Sequence, residues 1–196
     1  MQKMFIIIFF LIILCLIFKQ YQKMCFMGVP ITKEKLNKTL IQITKDLNEY
    51  KIENWFIAYG TLLGIVRNDS CIECDDDVDI IISKDDSDKL HKLIKDKGYK
   101  YDIIEKKKMI YNKFTRILLN DDLGPIDFYI AIKKNNDYND TWEKVTWTNV
   151  NPILKKKWNG VNLNLPNNFI NKLEKRYGKD WRTPRQWKGP RNNNIL

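Results

Sequence analysis

Between Ala58 and Ile82 the chain reads A-Y-G-T-L-L-G-I-V-R-N-D-S-C-I-E-C-D-D-D-V-D-I-I-I, and no other stretch constrains the fold as much. Gly60-Thr61 turns a short apolar run, Trp55 to Tyr59, into Leu62 to Arg67, which can open a short helix. Further on, Asp75, Asp77 and Asp79 alternate with Asp76, Val78 and Ile80. If this stretch is a strand, the three carboxylates leave one face of it. Like charges at that spacing repel unless a cation sits among them, and hard divalent ions such as Mg²⁺ or Mn²⁺ prefer oxygen ligands. The cluster therefore reads first as a metal site, leading into a buried β-branched strand, Val78 to Ile82.

At 196 residues the chain has room for one domain with a substantial core and hardly for two. Its first part is set apart by an unbroken apolar run from Met4 to Phe18, flanked by Lys3 and Lys19. That run covers roughly 22 Å as a helix, short of the ~30 Å hydrocarbon core, so its length alone suits a secretory signal as well as a span. The following K-Q-Y-Q-K-M-C-F-M-G-V-P lacks a small-x-small cleavage site, which favours an uncleaved signal anchor. The expected organisation is a membrane anchor and stem over residues 1–29, a catalytic domain over 30–190 and a polar tail over 191–196. Lysines 19, 23, 33, 35 and 38 after the run would by themselves hold the domain on the cytosolic side.

The net charge of +10 invites a nucleic-acid partner. The lysines are scattered, however, with no aromatic-interleaved stripe, so the charge reads as compositional and nucleic acid is not the expected partner. Cys71-Ile-Glu-Cys74 has the spacing of half a zinc site or a redox pair, and equally of a disulfide or simple packing. The one histidine, His91, reads as a surface residue.

Leu36, Leu40, Ile43 and Leu47 mark an amphipathic helix between Thr32 and Tyr50. Ser83 suits the N-cap of a helix carrying Leu90, Leu93 and Ile94 and stopping at Gly98. Tyr99 to Glu105, Met109 to Leu119 and Ile126 to Ile132 read as strands, the last two joined by the turn N-D-D-L-G-P, in a mixed sheet. Beyond them come a polar loop (Asn135 to Asp140), a possible strand (Trp142 to Trp147), a short helix or turn (Pro152 to Trp158) and a helix (Pro166 to Tyr177). The fold class is α+β, a mixed sheet flanked by helices.

A strand, a Gly-Thr turn opening a helix, D-x-D on the next strand and an acid on a later one is the arrangement of nucleotidyltransferase-fold enzymes. Such a turn offers N–H groups and positive dipole to phosphate, while the carboxylates hold metal that bridges phosphate oxygens. Asp127, between Ile126 and Phe128, is placed to be the third acid. More closely, G-T-L-L-G-I-V-R, D-D-D-V-D, I-D-F-Y, L-P-N-N-F and L-E-K-R-Y-G-K-D-W-R-T-P together resemble the LicD/fukutin-related family of phosphotransferases, over roughly Leu36 to Pro184.

That resemblance implies transfer of a phospho-alcohol, such as phosphocholine or ribitol phosphate, from a CDP-linked donor to a glycan or glycoconjugate, with the domain lumenal behind its anchor. It implies Asp77 and Asp79 as the main metal ligands, Asp127 as the later acid and Asp75 as the family's first acidic position. It also implies that Gly60, Thr61 and Gly64 shape the turn facing the donor phosphates. Arg67 is a candidate phosphate contact, or else a salt-bridge partner of the acidic strand. I-E-C-D-D-D at Ile72 to Asp77 departs from the family's usual aromatic-preceded run, and so alters the rim of the site. Two other readings share these residues: nucleotide addition to a small molecule, protein or RNA, and an inactive membrane scaffold.

Overall fold

The computed structural model describes residues 6–14, 31–104, 113–184 and 196. Residues 6–14 form helix α1, whose apolar side chains are exposed. No helix among the described residues is long and apolar enough to cross a membrane, and the rest of the Met4 to Phe18 run lies outside them.

Helix α2 (Lys33–Glu49) follows the predicted stripe, and Leu36, Leu40, Ile43 and Leu47 are all fully buried. The Thr32 hydroxyl caps it by accepting from the Lys35 N–H. The Thr39 hydroxyl donates to the Lys35 carbonyl and accepts from the Gly124 N–H, tying the helix to a turn far along the chain. A side chain at Gly124 would put its Cβ 2.9 Å from Leu36 Cδ2, so the helix and that turn are in direct contact.

Next come β1 (Trp55–Ile57), α3 (Tyr59–Asn68) and β2 (Val78–Ser83). A 3-10 turn, Lys84–Asp86, carries the chain into α4 (Ser87–Asp96), and the Ser83 hydroxyl caps that turn rather than the α-helix proper. Then follow β3 (Lys100–Ile104), β4 (Lys113–Leu118) and β5 (Pro125–Lys134). The sheet order is β1-β2-β5-β4-β3, and only the β2–β5 pair within it is parallel, so the sheet is mixed as expected. Trp55, Phe56, Phe128, Tyr138 and Trp147 are the largest fully buried side chains of the core among the described residues, with Phe56 edge-on to both Tyr138 and Trp147.

Four sequence expectations give way after β5. The polar loop at Asn135 to Asp140 contains a strand, β6 (Asp137–Asp140), because the last residues of β5 offer it a free edge from Ala131 to Lys134. β7 is only Val145–Trp147, paired with β6. Pro152 to Trp158 is not helical; Leu154–Trp158 (β8) pairs with Val161–Leu165 (β9) as a separate hairpin. Its Asn164 side-chain amide donates to the Trp55 carbonyl, and the Trp158 indole to that of Asp69, so the hairpin fastens β1 and the end of α3. The last helix, α5 (Phe169–Tyr177), starts three residues after Pro166 and stops at Gly178. At the end of the expected polar tail, Leu196 pairs through its backbone with Thr146 and Thr148 of the β7 edge; residues 191–195 lie outside the described ones.

Candidate active site

The site forms where α3 begins and the two parallel strands run side by side. β2 starts only at Val78, so Asp75 to Asp77 lie in the loop before it, and alternation along one strand is not what brings the acids together. The strand places Asp79 opposite Asp127 in register with β5, which sets both on the same face. Both are buried, Asp79 at 7% exposure and Asp127 at 5%. Asp75 and Asp77 are half-buried beside them, while Asp76 is exposed.

The Gly60 N–H donates to Asp79 Oδ2 at 3.0 Å, and the Tyr129 hydroxyl donates to Asp79 Oδ1 at 3.1 Å. From the other side the Asp79 N–H donates to the Thr61 hydroxyl at 2.8 Å. Gly60 and Thr61, expected to face phosphate, are thus engaged in holding the acidic strand. A Cβ at Gly60 would stand 2.6 Å from Asp75 Oδ2 and 3.4 Å from Asp79 Oδ2, so a side chain there would displace the Asp75 carboxylate. Gly64 is sterically required: its Cβ would lie 2.6 Å from the Ser70 carbonyl oxygen, backbone of the loop that leads to the acids.

Burial, then the charges of Asp79, Asp127 and their neighbours, pushes the Asp77 carboxyl well above the ordinary carboxylate range. Burial and the Asp75 and Asp127 charges do the same to Asp79, against the opposing hydrogen bonds from Tyr129 and Gly60. Asp75 is raised to about 6, by burial first and by Asp76 second. Folded metal-free protein therefore binds protons that the unfolded chain has released, so this contribution is complete below the unfolded value of 3.8 and lost as pH rises through about 6. We expect wild-type protein in EDTA to lose stability relative to Asp75→Asn as pH is raised across that window. Melting curves of the pair at stepped pH check this, and a difference that widens in favour of wild type would contradict it.

Among the described residues no three His, Cys, Asp or Glu side chains are gathered tightly enough to hold an ion as they stand. The donor chemistry nevertheless fits a hard cation: every candidate ligand is a carboxylate, and the charges acting most on Asp77 and Asp79 are those of other carboxylates.

Arg67 sits on α3, half-buried, with its Nε buried and without a hydrogen-bond partner, and among the described residues no ion pair joins it to the acids. Cys71 and Cys74 do not act together. Cys74 is disulfide-bonded, whereas Cys71 is a free, buried thiol pushed up to about 12, chiefly by burial, which removes the C-x-x-C pair as a zinc half-site or redox couple. His91 is half-buried on α4, in contact with the Tyr101 hydroxyl. Tyr129 escaped the sequence reading. Its signal was present, since it stands two residues beyond Asp127 on a strand and so shares that acid's face.

With strand, glycine turn, helix and paired acids in place, comparison with known families becomes decisive: residues 53–168 match the model described as LicD/FKTN/FKRP, nucleotidyltransferase domain. The chain belongs to that family. As a LicD-family member it is a transferase, and the matched segment holds Gly60, Thr61, Gly64, Arg67 and all the site acids but stops short of α5. No curated protein matches the chain by sequence. Among solved structures it is similar to the antibiotic-resistance factor ANT(2'')-Ia in solution, at TM-score 0.47 and 11% identity over 69% of this chain and 66% of that one. ANT(2'')-Ia in complex with adenylyl-2''-tobramycin gives a TM-score of 0.43 and 14% identity over 65% and 67%.

Proposed function

We propose that this LicD-family protein transfers a phospho-alcohol, of the phosphocholine or ribitol phosphate type, from a CDP-linked donor to a glycan or glycoconjugate. The observation that carries the reading is the in-register Asp79–Asp127 pair, held from α3 by Gly60 inside a chain of this family. An acceptor hydroxyl would attack the phosphorus that bears the alcohol; a new P–O bond forms, the bond to the cytidine-side phosphate breaks, the hydroxyl proton leaves and CMP departs. Bound at Asp77, Asp79 and Asp127, with Asp75 at the rim, Mg²⁺ or Mn²⁺ would supply positive charge to offset that of the diphosphate. Tyr129 and Gly60 orient Asp79 by donating to its two oxygens.

We also place the domain beyond the membrane, lumenal behind an N-terminal anchor. The Cys74 disulfide supports this side, because disulfides persist in oxidising compartments. A second reading, nucleotidyl transfer, draws on the family model's description as a nucleotidyltransferase domain.

Melting of the full-length protein tests the donor. A ligand that binds only the native state stabilises it by about 2.7 kcal/mol at a hundred times its Kd. CDP-choline, CDP-ribitol and CTP with Mg²⁺ are expected to raise the melting temperature more than ATP or GTP, and Asp77→Asn to lose most of the shift. Equal shifts from every nucleoside triphosphate and none from CDP-alcohols would favour nucleotidyl transfer instead.

A further inference from the structure

Helix α5 lies outside the matched family segment, yet it brings Arg176 against Tyr59, the residue before Gly60. Arg176 is nine-tenths buried, and its guanidinium lies over the Tyr59 ring, with Cζ 4.3 Å from the centroid. Tyr59 immediately precedes Gly60, stands edge-on to Tyr129 and donates its hydroxyl proton to the buried Asp140. A guanidinium has donors in a fixed fork, and burying it with donors unmet is costly. The nearest carboxylate, Glu143, is only a loose partner at 3.8 Å, and Arg176 Nε has no hydrogen-bond partner at all.

Arg67 repeats the pattern from the other helix. Buried side-chain atoms without a partner are few among the described residues, and two of the four are the Nε atoms of Arg67 and Arg176. Arg67 stands seven residues along α3 from Gly60, on the face that also carries Gly64, and Tyr177 follows Arg176 on α5 and is buried. Each of the two helices therefore contributes a guanidinium with an unpartnered nitrogen, Arg67 from the α3 face of Gly60 and Arg176 from over Tyr59. Forked donors of this kind recognise phosphate oxygens.

We propose that Arg176 and Arg67 clamp the diphosphate of the nucleotide donor, so that α5 supplies a second cationic arm to a site whose acids all come from the matched segment. The clamp rests on the donor reading above for the identity of the nucleotide, but its chemistry requires only a diphosphate. Inorganic pyrophosphate, CDP and cytidine, each titrated with Mg²⁺ into the full-length protein, are the probes.

Arg176→Gln and Arg67→Gln are each expected to weaken pyrophosphate and CDP by about tenfold or more, the usual scale for hydrogen bonds to charged groups, and to leave cytidine unaffected. Arg176→Lys keeps the charge without the fork and should fall between wild type and Arg176→Gln. If Arg176→Gln does not fold, Arg67→Gln and Arg176→Lys carry the test. Arginine-dependent pyrophosphate binding with no preference for CDP over GDP would uphold the clamp while removing the CDP donor. Wild-type affinity for pyrophosphate in the variants that fold, or no pyrophosphate binding by wild type, would overturn it.

Discussion

Asp79→Asn is expected to lower the rate of transfer by about a thousandfold or more, several kcal/mol of barrier, while the fold survives. The substitution keeps the shape of a side chain that is hydrogen-bonded to Gly60 and Tyr129 and removes its charge. It also removes one of several mutually repelling buried carboxylates, so metal-free Asp79→Asn should melt no lower than wild type. Asp77→Asn, in the loop before β2, is expected to behave alike. Turnover together with melting in EDTA reads both halves. Unimpaired turnover in either variant would count against the acids as the chemical centre, and a collapse of melting temperature would make them structural.

Gly60→Ala and Gly64→Ala are expected to fail in opposite ways. Alanine is the better helix former by up to about 1 kcal/mol, so neither change should suffer from propensity. At Gly60 the new Cβ meets the far end of the Asp75 side chain, which can swing aside at little cost to stability but thereby leaves its place in the site. We expect activity to drop by about a hundredfold with near-normal melting, since small misplacements of catalytic groups cost on that order. At Gly64 the Cβ meets the Ser70 carbonyl and the Ile72 backbone nitrogen, which cannot yield without moving the loop. Overpacking of this kind costs about 1–3 kcal/mol, so this variant should melt lower. Paired activity and melting data check the contrast; a Gly60→Ala enzyme with full activity would show that Asp75 need not stay where it stands.

How far the sequence revealed this arrangement depended on the range of the interactions. The α2 stripe, the apolar Val78 to Ile82 strand and the N-D-D-L-G-P turn declare themselves through neighbours in sequence, and all three formed. The β8 strand did not, because Leu154-Lys155-Lys156-Lys157-Trp158 has no alternation; it is a strand because β9 and the edge near Trp55 hold it there. β6, the polar Asp137-Tyr138-Asn139-Asp140, likewise exists because β5 runs long enough to offer it an edge. In the site, the identities of the acids were legible and the means of gathering them was not: a loop brings Asp75 and Asp77 alongside the strand that carries Asp79. Tyr129 could have been found from its place two residues beyond Asp127 on one strand, whereas the contact of Arg176 with Tyr59 arises from packing across more than a hundred residues, which no local pattern encodes.

The most direct test of the central claim is to identify what leaves when the full-length protein turns over. CDP-choline or CDP-ribitol with Mg²⁺ and a glycan acceptor should yield CMP and a phospho-alcohol-bearing glycan in equal amounts, because only the bond between the two donor phosphates breaks. Removal of the metal by EDTA, or Asp79→Asn, should abolish both products. Pyrophosphate released from CTP or another nucleoside triphosphate, with CDP-alcohols left intact, would contradict phospho-alcohol transfer and assign the same acids to nucleotide addition.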